Sequence, residues 1–252
     1  MRLFLMISAL LATQSVVADQ FAREAEVVTP EARFDEIRRD FEPAPVGRYR
    51  QVDHQLVLSA QSRDWRATES ALKQGANPNV SNRHVASVLV RAASAGQLTL
   101  VDRLIRAGAD VDRMDHDGQT ALCAALLIGR GDIAQRLISA GAQVNLANAS
   151  GDTPLTVAVA LRRSAMIDVL IERGADVTAP GAAGRSALSL AAERGDAALV
   201  ARLLDLGASV QARDTRRFSA LQWAVAGGHP MIVQTLLAAG ADPFDLSVPV
   251  RP

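Results

Sequence analysis

Gly-Ala pairs recur at Gly75-Ala76, Gly108-Ala109, Gly141-Ala142, Gly174-Ala175, Gly207-Ala208 and Gly240-Ala241, stepping 33 residues each time. A second column keeps the same step: Leu56, Leu89, Leu122, Leu155, Leu188 and Leu221. Two columns locked to one period without an insertion define a tandem structural repeat. Such a chain stacks like units, each touching only its neighbours, and has no single built-in pocket. What it offers is a long surface.

The stretch from Asn148 to Pro180 shows what one unit looks like. Thr153 suits a helix N-cap, and Pro154 suits the first helical position, where its missing N–H is no loss. An apolar helix is predicted over 155–161, broken by Arg162-Arg163-Ser164. A second helix, about 165–172, carries Met166, Ile167, Leu170 and Ile171 at helical spacing. Gly174 ends it, because a helix C-terminus favours positive φ, which glycine adopts without strain. Asp176-Val177-Thr178 then leads out as an extended finger.

This pattern resembles the ankyrin repeat. The third unit reads Asp115-His116-Asp117-Gly118-Gln119-Thr120-Ala121-Leu122, then Leu137-Ile138, then Gly141-Ala142-Gln143-Val144-Asn145. The fifth has Ser186-Ala187-Leu188, Gly195-Asp196 and Leu203-Leu204; the sixth has Ser219-Ala220-Leu221, Gly228-His229 and Ile232-Val233. In this phase the units span 49–81, 82–114, 115–147, 148–180, 181–213 and 214–246. The resemblance implies an all-α solenoid of six helix-turn-helix units with β-hairpin fingers. It also implies a concave face of inner helices that, with the finger tips, binds protein. The histidine common after the opening leucine is absent. Val57, Val90, Cys123, Thr156, Ser189 and Gln222 fill its column, so its contacts between repeats must be made differently. The first unit is degenerate, as expected for a terminal repeat with one face open.

The ends differ in character. Met1-Arg2, the apolar run 3–11 and Val16-Val17-Ala18 read as a secretory signal peptide cut after Ala18. Residues 19–48 form an extension in which Thr29-Pro30-Glu31 starts a helix. That helix runs from about Pro30 to Phe41, and Phe34, Ile37 and Phe41 would cap the first repeat. Residues 247–252 are a short tail. Lys73 is the sole lysine, which with the alanine richness suggests a GC-rich bacterial source and hence a periplasmic location. A lone thiol, Cys123, fits that compartment without a disulfide and reads as a small buried side chain.

Acidic and basic residues balance at 27 each. Arg103, Arg136 and Arg202 fall on outer helices among Asp102, Asp168 and Asp205, a solvated face and not the concentrated positive patch that nucleic acid requires. No phosphate loop, zinc-ligand pair or nucleophile elbow is present. The expectation is therefore a monomeric, non-enzymatic protein-binding module without cofactor. Its partner would be a periplasmic enzyme that it protects or, alternatively, a toxin that it neutralises.

The candidate contact residues follow from the concave row at the ends of the inner helices. That row reads Gln61-Ser62, Ser94-Ala95, Leu127-Ile128, Ala160-Leu161, Glu193-Arg194 and Ala226-Gly227. Its middle is apolar, which singles out Leu127, Ile128 and Leu161, with Arg194 beside them. Phe218 and Trp223 are added as aromatic anchors, although stack packing is the favoured explanation of Trp223. His84 and His116 are finger-tip contacts. They also motivate a different reading, a metal or small-ligand binder bridging two fingers.

Overall fold

The computed structural model describes residues 50–82 and 84–246. The expected leader, the expected helix over 30–41 and the tail lie outside the described residues. Every repeat contributes a pair of helices. The inner helices are α1 (Gln51–Gln61), α3 (Val88–Ser94), α5 (Ala121–Leu127), α7 (Pro154–Ala160), α9 (Ala187–Arg194) and α11 (Ala220–Gly227). The outer helices are α2 (Trp65–Lys73), α4 (Leu98–Arg106), α6 (Gly131–Ser139), α8 (Ser164–Glu172), α10 (Ala197–Asp205) and α12 (Pro230–Ala238).

Local chemistry fixes both ends of the helix pair. Ser87, Thr120, Thr153, Ser186 and Ser219 cap the inner helices, each hydroxyl accepting from the backbone N–H three residues on. Each such cap is worth about 1 kcal/mol. The first repeat has His54 in that column, and its helix starts earlier, from Arg50. There Asp53 closes a capping box and also accepts the N–H of Asn77 at 2.7 Å. At the other end, Gly75, Gly108, Gly141, Gly174, Gly207 and Gly240 all take positive φ, between 82° and 93°. The following alanine N–H reaches back five residues, as in Ala142 N–H to Leu137 C=O at 3.1 Å, which closes a Schellman turn.

Stacking then buries the apolar faces. The leucine column from Leu56 to Leu221 is at most 2% exposed. An outer-helix column, Leu104, Leu137, Leu170, Leu203 and Leu236, is fully buried. Burying each such side chain contributes about 1.5–3 kcal/mol. Between them Ala92, Ala125, Ala158, Ala191 and Ala224 let neighbouring helices approach closely. The first repeat substitutes polar groups here: the Thr68 hydroxyl donates to Ser59 Oγ at 3.0 Å, both side chains buried. Its outer column holds Ala71 where later repeats have leucine.

The repeats are stitched by side chains one period apart. Asn79 donates to the Gly108 carbonyl at 2.9 Å and accepts from Asp110 N–H at 2.8 Å. Asn145 does the same to Gly174 and Asp176. Asp112 accepts from Gln143 N–H, and Gln211 donates to Gly240 C=O. Thr178 holds this position in the fourth repeat, and its hydroxyl turns onto Asp176 of its own repeat. These contacts take the place of the missing histidine column. On the outer face Glu69–Arg103, Asp102–Arg136 and Asp168–Arg202 pair across successive repeats. All are partly exposed, so each is worth under about 1 kcal/mol.

The fingers differ from the expected β-hairpins. Among the described residues they contain no strand, only isolated antiparallel bridges at Pro180–Ser186 and Arg213–Ser219. The physical reason is local competition. Asn82, Asp115, Asn148 and Asp214 each accept two finger N–H groups on one side-chain oxygen, which folds the chain into Asx turns.

Gly141 tests the helix-end assignment. A Cβ there meets nothing within 4 Å, but φ is +93°. Gly141→Val therefore loses stability through backbone strain alone, by about 1 kcal/mol or more in a urea titration. Unchanged stability would refute the assignment.

Candidate functional site

The row at the C-terminal ends of the inner helices is held in place chiefly by arginines from neighbouring repeats. Helix ends present carbonyls without intrahelical partners, and positive side chains answer them. Arg91 donates to Ala60 C=O at 2.9 Å and Gln61 C=O at 3.0 Å. Arg130 reaches Gly96 C=O, and Arg163 reaches Leu126 and Leu127 C=O at 3.3 and 3.2 Å. Arg162 donates forward to Arg194 C=O at 3.0 Å, and His229 contacts Glu193 C=O at 3.0 Å.

Within this edge Leu127 and Ile128 are each 45% exposed. The guanidinium of Arg163 fixes the backbone that carries them. Leu161, one repeat on, is half-buried against the core, so the apolar feature is a two-residue projection and not a continuous stripe. Arg194 is half-buried, and its Nε is buried without a hydrogen-bond partner. Burial lowers its pKa; Glu193 opposes the shift, while the charges of Arg162 and Arg185 add to it.

Trp223 has internal partners. Its indole N–H donates to Asp214 Oδ2 at 3.0 Å. The Arg185 guanidinium lies 4.1 Å above its ring, and Phe218 packs 5.4 Å away. Arg185 is held in turn by Glu193 at 2.8 Å. This cluster ties the fifth finger to the last inner helix. His84 is exposed at the second finger tip, and His116 Nε2 bonds Asn82 C=O at 2.8 Å, stitching the two fingers. Among the described residues no group of three or more His, Cys, Asp or Glu side chains is placed to hold a metal ion. Nor is any described helix long and apolar enough to cross a membrane.

Two segments of the chain, residues 89–181 and 178–245, match the model for ankyrin repeats (three copies), together more than half of the sequence. The chain belongs to the ankyrin-repeat family. Ankyrin repeats generally mediate protein–protein interactions and are typically non-catalytic binding modules. A search of curated proteins found no match. In this ankyrin stack sequence reasoning missed the arginine caps. Their signals were Arg162-Arg163 at an inter-helix turn whose other repeats mostly carry glycine, and the column shared by Arg130, Arg163 and His229.

Cys123 is fully buried in α5, and burial pushes its thiol pKa up. Reaction with a disulfide probe at pH 8 is thus expected to be negligible in the native stack and to appear only with unfolding in urea. Fast labelling of the folded protein would contradict this packing.

Proposed function

We propose that this chain is a non-enzymatic ankyrin module that binds a protein partner through its inner-helix edge and finger tips, centred on Leu127 and Ile128. The observation that carries the reading is the exposure of these two large aliphatic side chains at 45% each, in a row where the first, second and sixth repeats place Gln61-Ser62, Ser94-Ala95 and Ala226-Gly227. Exposed apolar side chains on a rigid scaffold are what a partner can desolvate at small entropic loss. Arg194 on the inner-helix edge and His84 and His116 at the finger tips supply polar contacts. Phe218 and Trp223 serve the reading as a preorganised rim held by Arg185 and Asp214.

The location proposed is the bacterial periplasm, supported by the leader-like run of residues 1–18. The partner class proposed is a periplasmic enzyme that the stack protects. Detection of the mature chain starting at Asp19 in a periplasmic fraction tests the location; an uncut chain in the cytoplasm would contradict it.

The surface itself is tested by Leu127→Ser with Ile128→Ser. The double variant is expected to lose at least tenfold in capture of the partner from periplasmic extract while its melting temperature stays within a few degrees. A large drop in stability would make these side chains part of the core; undiminished capture would move the interface elsewhere.

A further inference from the structure

We infer that the cleft between the fourth and fifth repeats is a binding site for an oxyanion, carboxylate or phosphate, gripped by Arg162 and Arg194. This goes beyond the apolar contact proposed above. The junction is open on its outer side: α8 and α10 pack less closely than other successive outer helices, and Thr178 lacks the clamp to the next repeat that its counterparts make. A cavity of about 350 Å³ opens there, lined by Arg162, Ser164, Ile167, Arg194, Asp196 and Leu199 among others.

The lining of the cleft carries two arginines against the single carboxylate of Asp196. Among the described residues neither Arg162 nor Arg194 forms an ion pair. Glu193 is engaged by Arg185, and the Asp196 carboxylate is used as the cap of α10, accepting Leu199 N–H at 3.0 Å. Arg162 is anchored across the cleft on Arg194 C=O, and the terminal amines of the Arg194 guanidinium donate to no described residue. A planar guanidinium with unused donors matches the two oxygens of a carboxylate or phosphate.

The backbone adds a second observation. Arg162 sits at φ +54°, in a column where Gly96, Gly129, Gly195 and Gly228 occupy the same conformation. Only the degenerate first repeat shares the exception, with Arg63 at φ +58°. A side chain kept where glycine is unstrained invites a functional reason, and here it delivers a guanidinium to the cleft.

The test is calorimetric titration of the full chain with inorganic phosphate and, separately, with succinate, each at ionic strength held constant with sodium chloride. Saturable one-to-one binding is expected for at least one of them, and the arm that binds names the source of the oxyanion. Arg162→Gly is expected to weaken it at least tenfold while melting at the same temperature or higher, because glycine suits that φ. Arg194→Gln is expected to weaken it comparably. The serine double variant at Leu127 and Ile128 should bind the anion normally, which separates this site from the apolar contact. Absence of saturable binding in both arms, or equal binding by both arginine variants, would overturn the proposal.

Discussion

Apolar faces in this chain are buried chiefly by the partner helix of the same repeat and by the repeat next door. Inner helices pack on successive inner helices from α1 to α11, and no major helix contact skips a repeat. Stability in such a stack is a sum of unit and nearest-neighbour interface energies. The 33-residue phase is the condition for that sum, since a slipped unit would misalign every leucine in both columns. The left-handed glycine and the alanine after it set the phase. The glycine turns the chain at the end of each outer helix, and the alanine methyl, buried in five of the six turns, locks the turn against the repeat.

What was legible in the sequence was whatever recurs. The Gly-Ala turn, the Ser/Thr caps and the leucine columns each carry a local rule that one repeat suffices to reveal and at least four more repeat. What escaped was chemistry that crosses repeats with an irregular partner. Arg163 reads as a helix breaker, and nothing local says that its guanidinium travels back to Leu126 and Leu127. Packing is the favoured reading of Trp223, but nothing local names Arg185 and Asp214 as the partners that fold around it. The fingers invited a hairpin reading because they are extended. Their Asn and Asp side chains instead take the N–H groups that a ladder would need.

The irregularities are concentrated where function is proposed. A regular stack would put small or polar residues at the ends of all inner helices, and the third repeat places Leu127 and Ile128 there. A regular stack would put glycine at position 162, and the fourth repeat places arginine. Arginine caps make the edge rigid as well as positive, so a partner meets side chains whose backbone is already ordered. The outer face, by contrast, spends its charges on pairs such as Asp102–Arg136, and little is left there for recognition.

The nearest-neighbour claim is tested most directly by inserting a second copy of residues 115–147 in phase after Ala147. The account predicts a chain that still unfolds cooperatively, with an m-value in urea raised by about the share of surface one added unit buries. Loss of cooperative unfolding, or an unchanged m-value, would contradict it.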